Sequence, residues 1–335
     1  MEAALARWLA AELGDPGPFR EQVLTGGNSN ETLLVQSECS SWILRRPPRA
    51  TIDPRAHSME REHRVLSALA QTNVPAPRPL AFCSDPQLAP GGLLVMEYVE
   101  GVSLTTTAPV GYPPGAQGVR AIGEAAVDAL AALHSVPWRE VGLEGFGSPE
   151  GFLERQVGRW RSQYESYAVR ELELFEPLAL WLGDNRPPSL TPGLLHGDFH
   201  IDNCLMSIEP PVRVRAIIDF EMSTIGDPLL DLGLLLGFWG EDRPREPAMA
   251  KLQGVSRVAG APSRAELAER YATACGRSVE RLDFYMTLAF WKLAAIVEGA
   301  YAHNVKGSMD NEYSRALERD VPALLREAAG FAGIA

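Results

Sequence analysis

The chain has 335 residues, 46% of them apolar and 22% charged, which fits ordinary globular material long enough for two lobes and a cleft. A formal net charge of −12 disfavours nucleic acid or an anionic membrane surface as partner, because phosphate groups are bound mainly by clustered Lys and Arg. The four cysteines, Cys39, Cys83, Cys204 and Cys275, include no CxxC pair, against both a disulfide framework and structural zinc, and no apolar run reaches the roughly 20 residues of a membrane span.

In chain order, MEAALARWLAAELGDPG has an early acid and no small-residue cleavage site after a basic start. It reads as an amphipathic helix rather than a signal peptide, so a cytoplasmic protein is expected. Between Val23 and Glu100 the runs ETLLVQS, SSWILRRP and GGLLVMEYVEG are short and strand-like, with the helical SMEREHRVLSALAQ between the second and third. This predicts a small antiparallel sheet carrying one helix. From Gly118 onward the texture is helical: VRAIGEAAVDALAALHSV, a long amphipathic stretch from Gly151 to Leu182, SRAELAERYATAC and FYMTLAFWKLAAIVEGAYAHN. Pro- and Gly-rich stretches at Ala108–Gly118 and Gly183–Gly193 read as loops, and there is no internal repeat.

Inside the helical half, two apolar runs each deliver a packet of polar groups. LLHGDFHIDNCLM places Asp198 and Asn203 five residues apart between strand-like pieces, and VRAIID ends a buried-strand pattern on Asp219. Three oxygen-bearing groups at the ends of neighbouring strands converge on one small volume, and hard oxygen ligands suit Mg²⁺. Phosphoryl transfer uses that arrangement: one carboxylate, Asp198, to orient and deprotonate a hydroxyl, with Asn203 and Asp219 as metal ligands on the nucleotide phosphates.

The order HxDxxxxN followed by an apolar strand ending in Asp resembles the protein-kinase-like catalytic core. With Gly after His, IDFE in place of DFG, and GDPLLDL downstream, it is similar to the aminoglycoside phosphotransferase and choline kinase superfamily. LERQVGRWRSQYE, LHGDFHIDN, IDFEMSTIGDPLLDLG and SRAELAERYATACGR resemble more closely the kinase-like domain fused to some acyl-CoA dehydrogenases and its stand-alone bacterial relatives, over roughly Phe19 to Gly307. The resemblance implies an α+β, two-lobed protein-kinase-like fold, with a small antiparallel-sheet nucleotide-binding lobe over residues 1–99 and a larger, mainly helical catalytic and acceptor-binding lobe over residues 100–335. It implies ATP or GTP and Mg²⁺ as cofactors, and a small-molecule hydroxyl as acceptor.

That fold needs a glycine-bearing turn over the phosphates, a cation on a strand, a carboxylate on the helix and a hinge. LTGGNSNETLLV offers the turn, with Gly26 and Gly27 allowing close approach and the amides of Gly27, Asn28, Ser29 and Asn30 facing phosphate; an ordinary hairpin turn is the alternative. The first Lys in the chain is Lys251, so the phosphate-gripping position is Arg or vacant. WILRR aligns with the kinase VAIK pattern and puts Arg45 there, with Arg46 on the other face; two solvated arginines on an edge strand are the alternative. Glu62 is the helix partner of Arg45, with Glu60 as fallback, and Met96, Glu97, Tyr98 and Val99 form the hinge.

Other polar residues have more than one reading. His196 reads as a brace for the loop, and His200 as facing substrate or not. Asp227 reads as a helix cap that ties down its loop. Arg155 and Arg159 are four apart on one helix face, which is either solvated or turned to an anionic substrate. Lys292 lies in an otherwise apolar run and must snorkel or find a partner, which places it near an acceptor cleft; Glu221 joins this acceptor set. The closer resemblance, together with Arg155, Arg159 and Lys292, favours a hydroxy acid or acyl thioester over an aminoglycoside or choline-like amine. A catalytically weak nucleotide-binding partner protein is the second reading, and a hydrolase using water the third.

Overall fold

The structure is a computed structural model that describes residues 1–24, 30–47, 58–89, 91–240, 249–309 and 311–334. It begins with helix α1 (Ala3–Leu13), followed by β1 (Arg20–Val23), β2 (Glu31–Gln36), β3 (Ser41–Arg46), α2 (Met59–Leu69), β4 (Pro79–Cys83) and β5 (Leu93–Glu97). The strands form one antiparallel sheet in the order β1-β2-β3-β5-β4. Alternation along β3 decides what each face does. Trp42 and Leu44 join Leu33, Val35, Leu93 and Val95 in a small core closed by Leu5 and Leu9 of α1. Ile43 and Arg45 point to the opposite face, where α2 packs, and Ile43 rests on the large-lobe core that includes Met59, Val65, Leu66 and Leu69 of α2. Ser58 caps α2 by accepting from the Arg61 amide, with Glu60 and Glu62 in the first turn.

The second lobe is built from β6 (Val102–Ser103), α3 (Gly115–His134), α4 (Phe152–Tyr167), α5 (Phe175–Asp184), β7 (Gly193–Leu195), β8 (Cys204–Met206), β9 (Val214–Ile217), β10 (Thr224–Gly226), α6 (Leu229–Phe238), α7 (Arg264–Cys275), α8 (Leu282–Val305) and α9 (Glu312–Ala332). Two short antiparallel sheets, β10-β7 and β6-β8-β9, hold the loops between them. α8 runs through the centre: Phe284, Leu288, Trp291, Ala294 and Ala295 are buried, and it packs on α4, α6 and α9. This is the two-lobed α+β arrangement expected.

The long helix expected from Gly151 to Leu182 is two helices, α4 and α5. The break after Tyr167 is held by Arg170, whose guanidinium forks onto buried Glu298 of α8 (2.8–3.2 Å) and also donates to the carbonyls of Leu317 and Glu318 of α9. Long-range pairing there overrides local helical periodicity. Among the described residues no helix is long and apolar enough to cross a membrane.

Candidate active site

The β7–β8 connection and the end of β9 carry the polar packets. β7 leads into His196, Gly197 and Asp198; a short 3₁₀ turn at Ile201–Asn203 then enters β8. Because β8 pairs with β9, and the Ile218 amide donates to the Asn203 carbonyl (2.9 Å), Asn203 and Asp219 leave adjacent strands side by side. Asp219 has φ 68°, a left-handed conformation rare for a side chain larger than Gly, and turns the chain sharply into the Phe220–Met222 turn.

Arg45 joins the lobes. It donates through Nη1 to Glu62 of α2 and through Nη2 to Oδ1 of Asp219 (3.0 Å), and lies 3.9 Å from Glu221. Burial would weaken the guanidinium charge, but Glu62, Asp219 and Glu221 hold it firmly protonated. Burial raises the Glu62 carboxyl, with Arg45 opposing. Asn30 donates to Glu221 Oε2 (2.6 Å), so Glu221, expected on the acceptor side, is turned toward the small lobe. Gly26, Gly27, Asn28 and Ser29 lie outside the described residues. Met96 is buried in β5, Glu97 is paired with Arg78 (2.9 Å), and Tyr98 and Val99 follow as the strand ends.

The loop bearing Asp198 is fixed from several sides. Asp231 of α6, 1% exposed, accepts from the amides of His196 (2.7 Å) and Gly197 (2.9 Å) and from His134 Nε2 (3.2 Å). Burial keeps His134 neutral, Tyr271 donating to its Nδ1 (2.7 Å). Burial would raise Asp231, yet its hydrogen bonds hold it below the usual carboxylate range. Gly197 has φ 89°, and a Cβ there would stand 2.3 Å from the Met222 carbonyl, so only glycine fits. His196 donates from Nε2 to the Ile218 carbonyl (2.9 Å) and accepts from the Asp198 amide at Nδ1 (3.3 Å), the bracing role read from sequence. Asp227, one residue before the Pro228 N-cap of α6, accepts from the amides of Leu190 and Leu229 and from Tyr285 Oη, which ties the preceding loop to the start of the helix.

Asp198 lies 3.6 Å from His200, whose other ring nitrogen is 3.5 Å from Asp202. Burial opposes both charges, but the pair stabilises itself: His200 is pushed up to about 10 by Asp198 and Asp202, and Asp198 is held well below the carboxylate range by His200, His196 and Lys292. Asp198 is therefore a positioned anion at neutral pH. Lys292 finds a partner as expected, donating to the Gly197 carbonyl (3.0 Å), with the Trp160 ring 5.4 Å away. Arg159 stands 5.0 Å from the same ring. Arg155 is spent on the carbonyls of Ser148 and Glu150.

Three contributors escaped sequence reasoning. Asp231 grips the loop amides from 34 and 35 residues away, a contact visible only in three dimensions. Tyr313 of α9 lies within electrostatic reach of Asp198; burial and that charge push its hydroxyl up to about 12. Gln253 approaches the loop from a distant turn.

The donor set suits a nucleotide with a hard cation. Asn203 spends its NH₂ on the Asp198 carbonyl (2.9 Å), which turns Oδ1 away from those partners, and Asp219 contributes a carboxylate beside it. Buried atoms that lack a hydrogen-bond partner within the described protein include Arg45 Nε, Glu62 Oε2 and Asn30 Oδ1, all at this junction.

Comparisons agree with the geometry. Human acyl-CoA dehydrogenase family member 11 is 33% identical over 321 residues, 93% of this chain and 40% of that protein. Mouse acyl-CoA dehydrogenase family member 10 is 30% identical over 320 residues, 91% of this chain and 28% of that protein. The chain thus spans well under half the length of these curated relatives. A crystal structure of an aminoglycoside phosphotransferase-type protein from Ralstonia eutropha superposes with a TM-score of 0.81 at 26% identity, covering 98% of this chain and 97% of that one. The GDP and kanamycin complex of APH(2'')-IIIa shares the fold at 15% identity and a TM-score of 0.62, covering 98% and 99%. Residues 20–269 match the model of the phosphotransferase enzyme family, and the chain belongs to that family.

Proposed function

We propose that the chain transfers the γ-phosphoryl group of ATP, or of GTP, to a hydroxyl of a small molecule, with residues 1–99 holding the nucleotide and residues 100–335 the acceptor. The observation that carries this is the convergence of Asp198, Asn203 and Asp219 with the Arg45–Glu62 pair, four chain segments meeting at one point. Arg45, anchored on Glu62, grips the phosphates, and the backbone of the Met96–Val99 hinge pairs the adenine edge. Asp198 accepts a hydrogen bond from the acceptor hydroxyl and aims its oxygen at the γ-phosphorus. As the new O–P bond forms and the bond to the β-phosphate oxygen breaks, the hydroxyl proton passes to Asp198 and the nucleoside diphosphate departs. Mg²⁺, held by Asn203 and Asp219, would neutralise charge on the phosphate oxygens. A carboxylate held so far below the usual range is a weak base, so Asp198 acts chiefly by orientation, as suits a loose phosphoryl-transfer transition state.

A hydroxy acid or hydroxylated acyl thioester is the favoured acceptor. Lys292 and Arg159 flank Trp160 near the loop, and the relatives carry acyl-CoA dehydrogenase names. His200 completes this side, and Arg155 shapes its rim through the 148–150 loop. ATP consumption measured with hydroxy acids, hydroxylated acyl thioesters, aminoglycosides and choline tests the choice. Turnover with a thioester or acid supports it, and turnover with kanamycin or choline alone contradicts it. Nucleotide binding without turnover would favour a partner protein instead.

A further inference from the structure

Gln253 sits in the turn between α6 and α7, 52 residues past Ile201 in sequence, and is fully buried. Its backbone is left-handed, φ 50° and ψ 24°, a conformation that strains any residue with a side chain. A glycine would relieve that strain, so what Gln253 adds is its amide. Oε1 accepts from the Ile201 amide (2.9 Å), Nε2 donates to the Leu235 carbonyl of α6 (2.9 Å), and the Gln253 amide donates to Asp202 Oδ1 (2.9 Å). The same turn reaches the exit of β6, where the Val255 amide donates to the Thr105 carbonyl (2.8 Å). Ser103 Oγ of β6 in turn donates to the Asp202 carbonyl (2.7 Å). The Ile201–Asn203 turn is thereby held at residues that Asp231 does not bond: among the described residues Asp231 accepts from the loop at the His196 and Gly197 amides.

We propose that Gln253 is a positioning residue for the phosphoryl-transfer loop: its strained turn fixes Ile201 and Asp202, and through them sets Asn203 against Asp198. The proposal rests on the phosphotransferase reading. It gives the loop two supports that share α6, Asp231 from the helix itself at the loop's entry and Gln253, anchored on the Leu235 carbonyl, at its exit.

Gln253→Gly removes the strain and the amide but keeps the backbone donor to Asp202. Gln253→Asn tolerates the left-handed backbone but is one methylene too short to span Ile201 and Leu235. At a temperature where both variants are folded, each should lower kcat by about tenfold or more with acceptor KM unchanged, because a misplacement of about 1 Å in a reacting constellation reduces rate on the order of a hundredfold. In the nucleotide-free proteins the Ile201 amide should exchange with solvent much faster than in the parent. Variants with a lowered Tm but parental kcat and parental Ile201 exchange would overturn the proposal. A parent that transfers no phosphoryl group would overturn the phosphotransferase reading, while the exchange measurement still decides whether Gln253 holds the loop.

Discussion

Replacing Arg45 with Lys asks whether the small-lobe cation must be a fork. Arg45 is 6% exposed and reaches two carboxylates with two different nitrogens, Glu62 through Nη1 and Asp219 through Nη2. An ammonium is a single point of charge on a shorter reach and can satisfy only one of them well. One charge-assisted hydrogen bond is then lost, about 1.5–3 kcal/mol, and Glu62, 1% exposed, is left with a poorer partner. Since about 1.4 kcal/mol is tenfold in rate, Arg45→Lys should lower kcat/KM for MgATP by roughly 10- to 100-fold. Arg45→Met, which strands a buried carboxylate, should also destabilise the fold by about 3–5 kcal/mol. The assay is steady-state nucleoside diphosphate release with Mg²⁺, beside urea unfolding of the same proteins. An Arg45→Lys variant within twofold of the parent would refute the bridging argument.

Asp219→Asn should lose Mg²⁺-dependent nucleotide binding, measured by titration calorimetry with and without the metal, while metal-free nucleotide binding changes little. Asp231→Asn puts an NH₂ against one of two buried backbone N–H groups; about 3 kcal/mol of stability should disappear in urea unfolding, with kcat falling more than KM. Gly197→Ala forces a Cβ to 2.3 Å from the Met222 carbonyl at a φ of 89°, and should give a poorly active protein with a lowered Tm by calorimetry.

What sequence can reveal follows the range of the interaction that decides it. HGDFHIDN and IDFE were legible because strand, turn and polar group lie within a few residues of one another, and alternation along WILRR was enough to aim Arg45 at the cleft. Lys292 was legible as an anomaly, a charge in an apolar run that had to find a partner. The split of α4 from α5 was not, since Arg170 takes its partners from residue 298 and beyond. β4 was hidden behind Pro79, which weakens strand patterning, although it pairs with β5 from Pro79 to Cys83. α9, with its capping box at Asn311, went unread although its signals are local. Asp231 and Gln253 hold the Asp198-bearing loop through contacts 34 to 52 residues apart, and no local pattern announces such contacts.

The most direct measurement follows phosphorus by ³¹P NMR in a reaction holding MgATP and a hydroxylated acyl thioester, with the parent chain and with Asp198→Asn. A phosphate monoester growing in step with ADP in the parent, and absent with Asp198→Asn at unchanged folding, is the predicted result. Inorganic phosphate released at the same rate with or without acceptor, or monoester formed equally by Asp198→Asn, would contradict the account.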